Sequence, residues 1–377
     1  MRQAVDATGA LVAPAAFTRL CEGSHVVSAR VDLLSRGDLV HENIPVSAGT
    51  VTVDRRAAHR TRASGLTFPA PPGGVPTVAG GHLAPVGWEL RVWRGAAVPG
   101  TDDFWWVALG TLPIWSSSVD ADGVVTCEAW DRSKLVAKLP LRYVHTFSPA
   151  FLLEEWVEDL VIARTLPWLP PGDYAGARHP GTLITHERGS DPWKITTDAA
   201  VSVGYEAFFD SYGLLRWRPE PDLSTIDPVR TVAEGEGGTL IDASANLDRE
   251  PVANAIRVVS TNAATGGEWV GYAEDTDPTS STYVGGDFGY QLVEFRDDFA
   301  ASQAAVDAAA AARLAANKGI VRSASHDSVP NPLIEPGDAE LVIRGAMGIN
   351  EVMLVDAQTI GLGAAAVQRH ETRARQI

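Results

Sequence analysis

At 377 residues the chain is too long for one ordinary core, so two or three domains are expected. A hydrophobic share of 45% with 21% charged residues marks a soluble globular chain, and 35 Gly with 24 Pro break it into many short strands, so a β-rich fold is expected. The net charge of −16 excludes a surface built to grip nucleic-acid phosphates, because that affinity comes from clustered Lys and Arg.

Cys21 and Cys127 are the only cysteines, too few for a disulfide framework, so each is expected to be a buried free thiol in a chain that folds in a reducing cytoplasm. Residues 1–20 carry no clear cleavage pattern, and no apolar run reaches the roughly 18 residues a membrane span needs. Neither a signal peptide nor a membrane span is expected.

In chain order, residues 23–53 alternate, with His25, Val27, Ala29, Val31 and Leu33 on one side. Ser35-Arg36-Gly37-Asp38 turns the chain, and 39–45 returns as a hairpin that opens a β domain. A further strand is expected at 50–54. The segment 69–85, with Pro71-Pro72-Gly73-Gly74 and Gly80-Gly81, holds no regular element and is expected as an exposed loop. Aromatic and β-branched residues predict strands at 88–93 and 104–109. A second hairpin follows from 114–119, the turn 120–123 and 124–130. Asp131-Arg132-Ser133 then starts a short helix that runs to Leu139 and stops at Pro140.

Near Thr146 the pattern becomes helical. A helix is expected from Ser148 or Pro149 through Phe151, Leu152, Trp156, Leu160 and Val161, with Glu154, Glu155, Glu158 and Asp159 between them. Residues 174–189 look irregular. In 191–222 two periodicities meet: Asp191 caps a helix with Pro192 at its first position, and Gly204 closes it. Tyr205, Ala207 and Phe209 then alternate with Glu206, Phe208 and Asp210. Asp210-Ser211-Tyr212-Gly213 turns, 214–218 returns, and Pro219 and Pro221 end the hairpin.

Strands resume after Pro228. Residues 235–238 form a turn, 253–259 an apolar strand buried on both faces, 273–289 a polar loop and 291–295 a strand. Alanine predicts a helix over 298–318, ended by a left-handed Gly319 and lying across a sheet with Phe299, Val306 and Leu314 as its stripe. Strands at 320–325, 339–343 and 351–355 follow, and the polar, basic tail 368–377 is expected to fray. The chain therefore divides into a strand-rich part at 1–145, a small α/β part at 146–222 and a second strand-rich part at 223–377.

Motifs for catalysis are nearly absent. His186-Glu187 lacks the second His of a zinc-protease helix, and Asp120-Ala121-Asp122-Gly123 is read as a hairpin turn because its Gly is misplaced for a calcium loop. No nucleophile elbow, phosphate loop or dinucleotide glycine pattern occurs, and the nine His are scattered without ligand spacing. Glu154-Glu155-Trp156 and Asp103 with Trp105 place carboxylates near aromatic rings, as sugar-cleaving sites do, but Trp156 falls on a helix stripe and Trp105-Trp106 in a strand. Those rings are read first as packing residues.

Five pieces in succession carry a resemblance: 123–135 (GVVTCEAWDRSKL), 191–222, 234–259 with Glu234-Gly235-Glu236-Gly237-Gly238, Asp248-Arg249-Glu250 and Asn254-Ala255-Ile256, then 298–314 and 329–338. Together they cover most of the chain, and their order resembles the tail-hub (baseplate hub) proteins of long-tailed bacteriophages. No single piece is a signature; the succession is. The resemblance implies a fold that is mainly β with α+β parts: two tail-tube-like β-barrel or sandwich domains, 1–145 and 223–377, with a smaller α/β domain at 146–222 between them.

It also implies a structural role at the virion tail tip, after assembly in the host cytoplasm. Three copies would form a homotrimeric, pseudo-sixfold ring joining the tail tube to a threefold tip. The implied partners are a distal tail or tail-tube protein, the tape-measure protein and tip or fibre proteins, with DNA passing through an acidic lumen without specific binding. Many relatives continue into a peptidoglycan-cleaving or fibre-like region, whereas this chain ends soon after its second strand-rich part. Lytic activity is therefore expected elsewhere, and no catalytic, cofactor-binding or metal residue is assigned. Two alternatives stand beside this reading: a carbohydrate-binding or glycan-cleaving tail-tip protein, and the hub of a contractile injection system or gene-transfer particle.

Overall fold

The alternation after Val27 forms the strand Val27–Ser35, which turns on Arg36 (φ 53°) and Gly37 (φ 87°) into Asp38–Pro45. Two successive left-handed residues give the turn whose twist matches paired strands. The computed structural model describes residues 1–377 apart from 24, 75, 77–80, 149–159, 162–183, 203, 224, 251, 263–265, 298, 301 and 376–377. The fold is mainly β with α/β parts.

From that hairpin one sheet grows outward through both strand-rich parts. It has 15 strands, and its main path runs Leu240–Asp248, Val321–Ser328, Gln368–Arg375, Ile349–Gly361, Ala48–Asp54, Thr61–Pro69, Val124–Trp130, Phe104–Val119, Trp88–Ala97, Val27–Ser35, Asp38–Pro45. The hinge of this path is Ile349–Gly361. Its first half pairs with Ala339–Arg344, while its second half pairs with Ala48–Asp54, from Ala357 opposite Asp54 to Gly361 opposite Thr50. Between Val355 and Ala357 the register against Gln368–Arg375 slips, so Asp356 sits in a bulge. A bulge bends a strand, and here the bend falls where the strand passes from one half to the other.

The two halves are filled differently. The first has an apolar core that includes Val31, Leu33, Leu66, Phe68, Leu90, Val92, Leu109, Leu112 and Cys127, and it also takes in Ile360 and Leu362 from the far end of the chain. The second has a smaller apolar cluster of Ala324, Val342, Ile349, Met353 and Ala374, with Val232, Leu333, Ile334, Leu354 and Val355 also buried. Polar side chains are buried beside them, among them Arg230, His326, Ser328, Glu340, Gln358, Gln368, His370 and Thr372.

The central unit packs the helices Arg132–Ala137 and Pro192–Ser202 against the hairpin Tyr205–Phe209/Leu215–Pro219. Asp191 caps the second helix by accepting from the Trp193 amide at 2.8 Å, and the Trp193 ring stacks on Phe209 with centroids 5.4 Å apart. Its turn docks on the first half through a buried ion pair. Arg132 grips Glu89 with two bonds of 2.7 and 2.6 Å and donates a third, of 2.6 Å, to the Gly213 carbonyl. Of the helix expected at 148–161, Ser148, Leu160 and Val161 lie within the described residues; Ser148 is not helical, while Leu160 and Val161 are helical and buried in this core.

A separate unit is inserted between Asp248 and Val321. Its three strands are ordered Gly267–Glu274, Ala255–Asn262, Leu292–Arg296, and the helix Gln303–Asn317 lies across them through Val306 and Ala310. The helix backbone comes so close that a Cβ on Gly271 would stand 2.4 Å from the Val306 carbonyl oxygen, which only glycine avoids.

Several expectations are corrected. The segment 69–85 is not simply exposed, because Leu83 and Ala84 are buried and Ser117 Oγ donates to the Leu83 carbonyl at 2.7 Å. Residues 104–109 and 114–119 are one strand, Phe104–Val119, whose register slips at Ile114/Ser116 instead of breaking. The Ala-rich helix starts at Gln303, five residues late, because Ser302 caps it by accepting from the Ala305 amide. The polar tail does not fray: Gln368–Arg375 lies between two strands inside the sheet, with Gln368, His370, Thr372 and Ala374 buried. The strands Thr61–Pro69, Arg230–Ala233, Leu240–Asp248 and Gly267–Glu274 were not read from the sequence.

Both cysteines are free and buried, and burial pushes their thiols up to about 12. The native protein should leave a disulfide reagent unreacted at pH 8 and consume two equivalents once unfolded. Fast reaction of either thiol in the native state would contradict this packing.

Candidate functional site

After Ala48–Asp54 the chain turns, with the Asp54 amide donating to the Arg60 carbonyl, and the turn carries Arg55 and Arg60 to the middle of the molecule. There the central hairpin presents Glu206 and Arg218, which sit directly opposite each other across its two strands. Glu206 Oε2 accepts from Arg60 at 3.2 Å and from Arg55 at 3.4 Å, while its Oε1 accepts from Arg218. Arg55 also reaches Glu220 at 2.6 Å and Asp356 at 3.5 Å. Arg60 and Arg218 both donate to the Pro336 carbonyl and both lie on the Phe208 ring, 4.1 and 4.7 Å from its centroid.

Glu206 thus joins the first and central parts of the chain, and its arginine partners reach the third through Asp356 and the Pro336 carbonyl. Burial alone would raise the pKa of Glu206, but the guanidinium groups of Arg60, Arg218 and Arg55 outweigh it and hold the carboxyl below its ordinary value. Burial pulls Arg60 down to about 10, which still leaves it charged at neutral pH. Arg55, Arg60, Glu206, Phe208 and Glu220 line a cleft of about 540 Å³, with Trp193, Lys194 and Arg373 also in its wall.

Beside the cleft, His59, Ser133 and Asp131 are the residue types of a hydrolase in an order that cannot work as one. His59 Nδ1 lies 2.9 Å from Ser133 Oγ, but Asp131 bonds the serine and the Thr61 amide instead of orienting the imidazole. Ser133 is buried at 1% exposure, so no substrate reaches its oxygen. Asp131 serves as the cap of Arg132–Ala137.

A second polar cluster fills the interior of the last part. His326 and His370 face each other across paired strands, Glu340 comes from Ala339–Arg344, and Arg230 lies opposite Glu340 on the parallel strand Arg230–Ala233. Glu340 Oε2 is 2.8 Å from His370 Nδ1 and 3.1 Å from His326 Nε2, and its Oε1 accepts from Arg230 at 2.5 Å. Burial would raise Glu340, yet Arg230 first and the imidazoles next hold it well below the usual carboxylate range. Burial also pulls His370 down to about 4, so it is neutral at pH 7.

The residues weighed from the sequence are dispersed. His186 stands opposite His145 in the small ladder of His145–Phe147 and Ile184–His186. Asp120 spends its Oδ1 on the Asp122 and Val124 amides of its turn. Trp105 packs on the cluster around Ala4 and Phe17, while Trp106 carries Arg30 at 4.3 Å and stacks on Phe104. Glu154, Glu155 and Trp156 lie outside the described residues. The His326–Glu340–His370 cluster was missed because its members are far apart in sequence. The signal was the alternation of Gln368, His370, Thr372 and Ala374 in a tail read by its charge.

No protein-family model matches the sequence, and no curated protein matches it. Solved structures do. A tail protein from Neisseria meningitidis MC58 is similar at TM-score 0.60 and 16% identity, over 93% of this chain and 97% of that one. The 43-kDa tail protein of prophage MuSo2 from Shewanella oneidensis is similar at TM-score 0.58 and 13% identity, over 92% and 98%. Prophage tail protein gp18 from Listeria monocytogenes EGD-e is similar at TM-score 0.55 and 11% identity, over 92% and 95%. The chain therefore has the fold of phage tail proteins over almost its whole length, and the resemblance read from the sequence holds for the fold.

Replacing Glu206 by Gln leaves three buried or half-buried guanidinium groups without their shared counter-charge, which should cost on the order of 3 kcal/mol at pH 7. Because the folded carboxyl is depressed below 4.5, its contribution is complete above that value and is lost as the pH falls through the folded pKa. Denaturant unfolding of wild type and Glu206→Gln should therefore converge as the pH drops below 4.5. Equal stability at pH 7, or a gap that does not change with pH, would sink this account of the junction.

Proposed function

We propose that this chain is a structural tail-hub protein of a phage virion, with no enzymatic activity of its own. The observation that supports it most directly is the single sheet through both strand-rich parts, whose end strands have no second partner strand among the described residues. We read 1–145 and 223–377 as two tube-like barrels set side by side, and 146–222 as the α/β unit between them.

The terminal strands of the path, Asp38–Pro45 and Leu240–Asp248, are largely exposed and carry the apolar side chains Leu39, Val40, Ile241 and Leu247 on their surface. Unpaired edges of this kind are templates for a strand of another chain. A head-to-tail contact between the two different ends closes into a ring when the rotation per copy fits. Three copies, each giving two barrels, make six similar units. That ring would meet a sixfold tail tube on one side and a threefold tip on the other, with distal tail or tube protein, tape-measure protein and tip or fibre proteins as its neighbours. The charge of −16 suits a lumen that DNA crosses without being held.

Light scattering over a concentration series should find three copies of the 40.1-kDa chain. Ile241→Lys with Leu247→Lys should leave monomers with an unchanged circular dichroism spectrum. Wild-type monomers at every concentration, or trimers of the double variant, would contradict the proposed ring.

A further inference from the structure

We propose that His326, Glu340 and His370 form a buried binding site for a small divalent transition-metal ion such as Zn²⁺, which staples the strands of the second half together. Two imidazoles and a carboxylate are a donor set that such ions favour, with one position left for water. The three donor atoms already converge: all lie within 4.8 Å of one another, and both ring nitrogens stand 2.8 and 3.1 Å from the same Glu340 oxygen. Ligand bonds of about 2.0–2.2 Å place neighbouring donors roughly 3 Å or a little more apart, so the closing movement needed is small. Arg230 holds the other oxygen of Glu340, which fixes the carboxylate and leaves Oε2 to face the imidazoles.

The unmet hydrogen-bonding capacity is the independent observation. Both histidines are buried, yet neither ring nitrogen of His326, nor Nε2 of His370, has a hydrogen-bond partner among the described residues. The His326 Nε2 contact with Glu340 is close but not aligned for donation. One of these atoms, His326 Nε2, is among the three converging donors, and leaving it unmet costs about 1–3 kcal/mol. An ion takes a lone pair from each ring and gives the cluster a common partner. The ligands come from three strands, Val321–Ser328, Ala339–Arg344 and Gln368–Arg375, so the ion is enclosed as the sheet closes and its binding is coupled to folding.

The whole chain should be produced in medium supplemented with Zn²⁺ or Co²⁺ and in chelator-treated medium, and its metal content and melting temperature compared. The expected result is about one ion per chain surviving gel filtration, a higher melting temperature for the metal-grown protein, and visible absorption of the cobalt form. His326→Gln with His370→Gln should lose the ion, the absorption and the metal-dependent shift together. Metal-free wild type that melts identically from both media would overturn the proposal, as would a double variant that keeps its ion.

Discussion

Everything in this fold depends on one strand serving two cores. Ile349–Gly361 places Met353 in the small apolar cluster of the second half and Ile360 in the large core of the first. Such a strand cannot be straight, and the bulge at Asp356 supplies the bend. The bulge buries a carboxylate, which Arg55 and Arg373 then compensate. Arg55 in turn needs Glu206, and Glu206 needs Arg60 and Arg218. The junction cluster is thus the electrostatic consequence of carrying one strand across two halves. Arg94, itself buried, closes the far end by donating to the Gly361 carbonyl.

The two interiors differ in how they are filled. The first half removes apolar surface from water, the ordinary driving force for a β domain. The second half buries Arg230, Glu340, His326 and His370, where charge is tolerated only because each ion has a counter-ion or a polar neighbour within reach. A polar interior of this kind contributes less net stability than an apolar one but fixes the register of the strands that carry it. His326 opposite His370 is correct in only one alignment of those strands.

Local signals in the sequence were read well where a single element determined them. The Asp191-Pro192 helix start, the Asp210–Gly213 turn, the hairpins at Arg36-Gly37 and Asp120–Gly123 and the helix start at Asp131-Arg132-Ser133 all depend on residues next to each other in the chain. What failed depended on partners far away. The strand Gln368–Arg375 presents polar residues to a polar interior, so its alternation did not register as hydrophobic. Leu240–Asp248 alternates Ile241, Ala243, Ala245 and Leu247 with polar residues, a strand pattern that was not read, and it is exposed over most of its length. Neither the Glu206 junction nor the His326–Glu340–His370 cluster leaves a spacing in the sequence, because the sheet alone brings these residues together.

The proposed ring needs each copy to act as a rigid arc, and rigidity here rests on the pairing between 357–361 and 50–54. Native-state hydrogen exchange of those amides is the most direct measurement. If the two halves form one body, these amides should exchange as slowly as those in the core strands Trp88–Ala97 and Phe104–Val119. Exchange at the pace of exposed loops, with both cores still protected, would mean that the halves move independently and that the shared strand does not hold them.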